Sequence, residues 1–431
     1  MTAPPMAKLD AHDACSAPIR QAGSQGRCHS SQRIGLTFSL YARNAVFFVI
    51  LMLMIDTWLV SGIVYPIRVA GPSMMPSLDG PRFEIACPQC GYPLCWCAAT
   101  QSFANCLERA RCPNCGTRLA RLMTSGNQQP QPNVRAGNPV VILKGLWRAW
   151  KRWDTVAFYN AGEHGGLTVK RIVGLPGERT EIRDGVLWAD GRLQPRPWEV
   201  QRSMCVPVNL PRNREDSVIH LDAASSLSQW EVEATHNTVT TYCHFHPALD
   251  QYEKPTRNLI LRFSLERFSL GTRLHIRSRF GSGHVEATLT LPSEFSVVCF
   301  DESPDGTSTK REQISGKLPP LIGEGEFAVS LVDQHFLLIV NDRVITQMFY
   351  AARPLAKPIQ RPFEVIVERG SVAIHNLGLW KVSCYDDEHR WADPLPGYYV
   401  LGDDPHVSLD SRHFGIVAPD RVIGRVIKWP F

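Results

Sequence analysis

Ser73, in the run GPSMMPSL, and Lys170, in LTVKRIV, could supply a nucleophile and its base. A serine hydroxyl is a weak nucleophile until a neighbouring group takes its proton, and a neutral lysine amine is one group able to do so. Strand alternation over LTVKRIV puts Lys170 on one face with Thr168 and Ile172, and Arg171 on the other with Val169 and Val173. Only one of these two cations can face the serine. Arginine does not deprotonate at useful pH, so Lys170 is the candidate base and Arg171 a structural cation. Burial against apolar neighbours would have to lower the lysine pKa by about two units, at a cost near 3 kcal/mol. On alternation alone Lys170 reads as a solvated surface charge.

A second chemistry lies in the cysteines. Cys87, Cys90, Cys95, Cys97, Cys106, Cys112 and Cys115 are seven of the 13 in the chain. CPQCG (Cys87, Cys90) and CPNCG (Cys112, Cys115) are two C-P-x-C-G knuckles separated by 21 residues. Their Pro and Gly make tight turns that let paired thiolates meet one tetrahedral metal, the pattern of a zinc ribbon. Disulfides are the competing reading in an oxidising compartment. Four protein thiolates leave no open coordination position, so the expected zinc is structural and the ribbon braces a loop or binds a partner. Cys95, Cys97 and Cys106 are unassigned. Cys243, His244 and His246 read as scattered side chains rather than a metal site.

The elements that must position these residues are mostly strands. At roughly 150 residues per domain, 431 residues predict about three structured units. The 44% hydrophobic and 20% charged content exclude a disordered chain, a coiled coil and a polytopic membrane protein. A net charge of +5 over this length is too dilute for a dedicated nucleic-acid binder, so no nucleic-acid partner is expected. Residues 1–44 lack apolar period and read as a disordered tail, whereas Ala45 to Val64 is 20 residues with one charge, Asp56. That run suits a single transmembrane helix; a cleaved signal peptide is the alternative, but the run exceeds the usual apolar stretch and no A-x-A site follows. Lys8, Arg20, Arg27, Arg33 and Arg43 precede it against Asp10 and Asp13, which keeps the tail cytoplasmic and sends the rest across the bilayer. Short apolar runs follow at Val140–Lys144, Thr155–Tyr159, Leu167–Val173, Thr180–Ile182 and Val186–Trp188, with Asp184-Gly185 as a two-residue hairpin signal. Residues 190–229 read as an irregular linker. Eight alternating segments between Trp230 and Trp380 indicate a β-sandwich with a loose resemblance to concanavalin-like and laminin-G jelly rolls.

GPSMMPSL, RWDTVAFYN (with Asp154), VKRIVGLPGE and LGDDPHVSLDSRHFGIV stand in the order of the four sequence boxes of type I signal peptidases, and cover about 60 residues. The chain resembles that family. The resemblance implies a membrane-bound serine endopeptidase whose Ser-Lys dyad cleaves signal peptides from exported preproteins after small residues, with no catalytic cofactor. It further implies Ser73 as nucleophile, Lys170 as general base, Ser408 as the serine that hydrogen-bonds the lysine, and Asp403, Asp410 and Arg412 as residues that tie the last box by ion pairs. Secreted preproteins, the lipid bilayer and the export machinery are the implied partners, and the bacterial inner membrane, with the catalytic domain outside, the implied place.

The sequence also departs from the family pattern. Gly71 replaces the serine that often completes the oxyanion hole, and Pro72 has no N–H, leaving the Ser73 N–H and an unidentified donor. The usual threonine is Ser77, and the last box has lost its arginine and asparagines between Asp403 and Ser408; His406, which sits there, reads as a loop residue. The expected architecture is mainly β: a signal-peptidase-type antiparallel core of 65–86, 134–190 and 391–431, a membrane helix at 45–64, a zinc-ribbon insert at 87–125 and a β-sandwich insert at 230–383. Two rivals stand beside it: an inactive peptidase scaffold presenting a carbohydrate- or protein-binding sandwich, and a self-cleaving Ser-Lys peptidase of the SOS-repressor kind.

Overall fold

The computed structural model describes residues 29–98, 112, 117, 132–209 except 146–148 and 161–165, 219–232 except 224–228, and 258–429 except 304, 322–324, 353–358, 360, 386–388, 391–392 and 406. Two compact units divide at Leu59 and Val60. The first holds helix α1 (His29–Met54), which begins well inside the segment expected to be an irregular tail. Once an apolar stretch has nucleated a helix, each further residue adds one hydrogen bond, so the helix extends into a polar flank. Ile55–Ile63 continues as a π-helix, and Val64 opens the first strand. The expected anchor is therefore shared among three elements. Its α-helical part, Ala45 to Met54, reaches about 15 Å of a hydrocarbon layer of about 30 Å. Among the described residues no helix is long and apolar enough to cross a membrane. The side chains of Val46, Phe47, Phe48, Met52 and Leu53 are all exposed.

The second unit is built of antiparallel sheets. Strands β1 (Val64–Arg68), β2 (Arg82–Ala86), β3 (Pro93–Cys97), β4 (Asn133–Arg135), β5 (Pro139–Lys144), β6 (Thr155–Tyr159) and β7 (Leu167–Gly174) come first. A hairpin follows, β8 (Thr180–Arg183) and β9 (Val186–Ala189), turning at Asp184 and Gly185 with φ of 53° and 75°, the left-handed pair that a two-residue turn requires. After β10 (Arg192–Leu193) and helix α2 (Trp198–Met204) come β11 (Cys205–Asn209), β12 (Ile219–Asp222), β13 (Gln229–Val232), β14 (Leu259–Phe268), β15 (Arg273–Arg279), β16 (Gly283–Thr290) and β17 (Glu294–Glu302). The remainder are β18 (Ser308–Lys317), β19 (Gly325–Val332), β20 (His335–Val340), β21 (Arg343–Phe349), β22 (Phe363–Arg369), β23 (Ser371–Val382), β24 (His389–Arg390), β25 (Tyr399–Leu401), helix α3 (Ser411–Phe414) and β26 (Val422–Lys428).

One six-stranded sheet runs β1-β5-β26-β6-β7-β25. Its strands come from three separated stretches of chain, and the last, β26, lies between β5 and β6. Strands β3-β2-β4 form the small sheet of the ribbon region, and β10-β9-β8-β24 a four-stranded sheet that contains the hairpin. Two larger sheets make the sandwich: β11-β23-β14-β19-β20-β21, with β12 also on β23, and β13-β22-β15-β16-β17-β18. Their inner faces share one core, including Phe263, Ile276, Val297, Phe327 and Leu338.

The segment 190–229 carries α2, β11 and β12, and the last two pair with β23 of the sandwich. It is an integral part of the fold, contrary to the linker expected there. The outer face of the seven-stranded sheet is also apolar: Ile260, Ala328, Val332, Leu337 and Ile339 pack against Trp198, Val200 and Met204 of α2. Below α2 lies a buried ion pair. Arg196, fully buried, donates through Nε (2.7 Å) and Nη2 (2.5 Å) to Asp333 and through Nη1 to the Ser383 carbonyl. Removing one partner strands the other charge in a dry site. Asp333→Ala is expected to lower the unfolding free energy by about 3–5 kcal/mol in urea titration, whereas Arg273→Ala, at the exposed pair with Glu368, loses less than about 1 kcal/mol.

Candidate active site

The loop bearing Ser73 is held at both ends by backbone. Met75 N–H donates to the Pro72 carbonyl and Leu78 N–H to the Met74 carbonyl, folding 72–78 into consecutive turns. Met74 and Met75 are buried, and Met74 packs with Val69, Leu78, Val140 and Ile142, whereas the preceding Ser73 is partly exposed. At the foot, Asn138 accepts from Asp79 N–H through its side chain (2.7 Å) and donates its own N–H to the Asp79 carbonyl. A Cβ at Gly137 would collide with the Val69 carbonyl, so only glycine permits that closure. A Cβ added at Gly71 would meet nothing within 4 Å, so there is open space two residues before the serine.

Lys170 lies opposite Val156 on β7 and is only 2% exposed. Its Nζ donates to Ser408 Oγ at 2.9 Å, and Ser408 is its hydrogen-bond partner among the described residues. Burial pushes the amine down to about 8; the carboxylates of Asp410, Asp403 and Asp404 work against that shift and Arg412 with it. Ser73 reaches the same place through its backbone. Its carbonyl accepts from Asp404 N–H (3.1 Å), and a Cβ at Gly402 would strike both that carbonyl and Ser408 Oγ, so Ser73 and Ser408 are neighbours across one glycine. Ser408 thus stands between the other two: its hydroxyl accepts from Lys170, and across Gly402 it neighbours the Ser73 carbonyl.

Both cations of LTVKRIV are buried, on opposite faces. Arg171 forms a two-pronged pair with Asp403 (2.7 and 2.6 Å) and donates Nη1 to the Trp153 carbonyl (2.9 Å). Burial alone would lower its pKa, but the Asp403 carboxylate outweighs this and raises it. The single O–H of Ser77 is shared between the Asp403 carboxylate and the Met74 carbonyl, which fastens the serine loop to the ion pair. Asp410 caps α3, accepts from Gly402 N–H (3.0 Å) and pairs with Arg412 (2.9 Å), whose Nη2 also reaches the Pro405 carbonyl. Burial opposes ionisation of Asp410, yet Arg412, the Gly402 N–H and Ser408 together hold its carboxyl below the usual range. The expected ionic residues therefore sort into Arg171–Asp403 and Arg412–Asp410. Ser77 and the Trp153 carbonyl are the contributors that pattern reading does not reveal, since neither has charge nor period; Asp154 pairs with Arg425 on β26.

In the ribbon region the Sγ atoms of Cys87, Cys90 and Cys112 lie within 4.8 Å of one another, and Cys90 and Cys112 are hydrogen-bonded at 3.5 Å with no disulfide between them. Gly91, at φ 71°, closes the first knuckle by donating to the Cys87 carbonyl. Cys87 N–H bonds the Tyr92 carbonyl and Cys112 N–H the Thr117 carbonyl, so the two knuckles repeat one spacing. Four zinc-bound thiolates would stand about 3.8 Å apart, given a Zn–S length of about 2.3 Å, so these three sulfurs fit the metal. Cys95 and Cys97 lie on β3 and are free thiols, Cys95 pushed up to about 11 chiefly by burial. Cys106, Cys115, Cys243, His244, His246 and His406 lie outside the described residues.

Residues 41–235 match the family model described as signal peptidase, peptidase S26. The match includes Ser73 and Lys170 and stops short of Ser408. No curated protein matches the sequence. Two solved structures share local likeness: sheep galectin-11 in a complex with glycerol, 15% identical over 29% of this chain and 92% of that one, with a TM-score of 0.21; and galectin LEC-6 of Caenorhabditis elegans, 12% identical over 38% and 96%, with a TM-score of 0.22. At such scores they carry no argument about this protein.

A lysine whose pKa is depressed in the fold opposes folding while protonated. Below pH 8 both states hold the proton and the full cost applies; between 8 and 10.5 the native amine has lost its proton and the unfolded one has not, so stability rises with pH. Lys170→Met is accordingly expected to unfold at higher urea than the parent at pH 7, by about 3 kcal/mol, with the advantage vanishing toward pH 10.5.

Proposed function

We propose that this chain is a membrane-anchored serine endopeptidase that removes signal peptides from exported preproteins, with Ser73 as nucleophile and Lys170 as general base. The observation that carries the reading is the buried Lys170 amine, held at about 8 and bonded to Ser408 beside Ser73, on a stretch matching the signal peptidase family. A substantial fraction of that amine is neutral in mildly alkaline conditions, which a surface lysine is not.

On this reading a preprotein lies extended across the site, and its small residues fill shallow pockets near the serine. Neutral Lys170 takes the Ser73 Oγ proton as the oxygen adds to the scissile carbonyl. The Ser73 N–H stabilises the oxyanion together with a second donor. The lysine then delivers its proton to the leaving amine, the C–N bond breaks, and an ester remains on Ser73. A water, deprotonated by the same amine, adds to the ester, and Ser73 recovers its proton as the new carboxylate leaves. Ser408 fixes the amine's direction through both steps, and Arg171–Asp403 with Ser77 keeps the serine loop in register with β7.

The same proposal places the apolar run of 45–64 in the bilayer, where its exposed Val46, Phe47 and Phe48 side chains would leave water. The positive-inside bias orients the catalytic unit outward, toward the export machinery, in a bacterial inner membrane. Cys87, Cys90 and Cys112, joined by Cys115, would hold one structural zinc, which supplies a cross-link at the base of the ribbon and no open position for chemistry.

Cleavage of a preprotein bearing an A-x-A site tests the assignment. Ser73→Ala and Lys170→Met are each expected to lower kcat by at least about a thousandfold, and retained cleavage in either variant contradicts the dyad. In the parent, kcat should rise with pH and level off above about 8, because the rate follows the neutral amine. Metal analysis of the purified intact chain should find zinc bound at one per chain and lost in Cys112→Ser; a metal-free parent with oxidised cysteines would refute the ribbon assignment.

A further inference from the structure

The sandwich meets the catalytic sheet at Trp153. This residue has φ 73°, a conformation uncommon outside glycine and strained for a bulky aromatic. Its backbone is bonded from both sides to the strand that carries the two cations. Trp153 N–H donates to the Ile172 carbonyl (2.7 Å), Ile172 N–H to the Asp154 carbonyl (2.9 Å), and Arg171 Nη1 to the Trp153 carbonyl (2.9 Å). The indole packs on two clusters at once. One is the outer face of the sandwich with α2, including Trp198, Met204, Ile260 and Leu337. The other is the catalytic core around Val173, Tyr385, Tyr399 and Leu401.

Glycine would adopt φ 73° without cost, and the sequence places the largest side chain there instead. The strain is retained because the indole contact on both sides over-determines it. The contact is itself rigid: α2 is fixed to the sandwich by the Arg196–Asp333 pair and by Gln201, which accepts from Ser330 (2.6 Å) and donates to the Arg196 carbonyl (2.7 Å). Arg196 also lies over the Tyr385 ring, 5.6 Å from its centre, and Tyr385 belongs to the core cluster that Trp153 touches.

We infer that Trp153 is a positioning residue, through which docking of the sandwich holds Arg171 and the strand bearing Lys170 in their working geometry. The insert is then a buttress of the active site and not a tethered module. The kinetic part of this inference rests on the peptidase reading, and the structural part does not. If the indole contact is lost, residue 153 relaxes, its carbonyl leaves Arg171, the Arg171–Asp403 pair shifts and water reaches Lys170. The charged groups facing that amine are Asp410, Asp403 and Asp404, with Arg412 opposing them. A wetter amine holds its proton more tightly and becomes a base only at higher pH.

The test uses the full chain as Trp153→Gly, Trp153→Phe and Met204→Ala. Glycine accepts the backbone and deletes the indole; Met204→Ala opens the same cluster from the sandwich side, away from the site. Two readouts are followed across pH: kcat on the preprotein, and acetylation of Lys170 by acetic anhydride, read peptide by peptide by mass spectrometry. Trp153→Gly and Met204→Ala should each move both midpoints upward, by about one pH unit for the glycine variant, while Trp153→Phe stays with the parent. Unchanged midpoints in Met204→Ala and in a folded Trp153→Gly overturn the inference, even if both variants lose stability, because a merely structural residue lowers stability without moving Lys170. If Ser73→Ala still cleaves while the acetylation midpoint moves, the peptidase reading fails and the buttress stands.

Discussion

A single cation in a dry place governs this structure. Lys170 sits on a strand with strands on both sides, and burial costs its charged form more than three nearby carboxylates return. The net is an amine held at about 8, where a lysine at the surface would stay charged. Everything around it serves to keep that amine buried and pointed. Ser408 gives it one hydrogen bond, Asp410 fixes the turn beyond Ser408, and Arg412 satisfies Asp410. The other face of the same strand resolves the opposite problem. Arg171 cannot shed its proton, so its burial is compensated in full by a two-pronged carboxylate and a backbone carbonyl. Adjacent residues on one strand thus have opposite electrostatic fates: one incompletely compensated and able to titrate, the other held charged.

The topology explains how residues so distant along the chain meet. Strand β26 returns between β5 and β6, and β25 joins the free side of β7, so the last segment closes the sheet opened by the first. Closure brings Gly402 against the Ser73 carbonyl and Ser408 against Lys170. The segment bearing Cys87, Cys90 and Cys112 leaves between Gly80 and Gly137, at the foot of the serine loop, and the sandwich between α2 and β24. Both enlargements lie in connections, where added length costs little entropy while the ends stay pinned.

Much of this was legible from residue types. The alternation of LTVKRIV separates Lys170 from Arg171, the Asp184-Gly185 pair makes the hairpin, and the doubled C-P-x-C-G knuckle brings three of its sulfurs together. Apolar alternation located eight strands of the sandwich. It missed β17, whose Phe295, Val297 and Cys299 face the core but whose adjacent Val297 and Val298 blur the period, β18, STKREQISGK, an exposed edge strand with no apolar face to betray it, and β21, where only Met348 is buried. It also missed β11 and β12, which are short and lie in a stretch interrupted by proline. Arg196–Asp333 and Trp153 were invisible for a different reason. Their meaning is created by contacts between segments far apart in sequence, and neither carries a local signature. The run of 45–64 shows the converse: its composition is that of a span, yet its backbone passes from α to π hydrogen bonding at Ile55.

The central claim is that one hydroxyl and one neutral amine act as a unit, and a trapped covalent intermediate reports on it most directly. The intact chain, mixed with a preprotein substrate and quenched in acid during turnover, is digested and weighed by mass spectrometry. The account predicts a signal-peptide acyl adduct on the peptide containing Ser73 in the parent and none in Lys170→Met. Turnover with no adduct on Ser73, or an adduct formed equally well without the lysine, would contradict it.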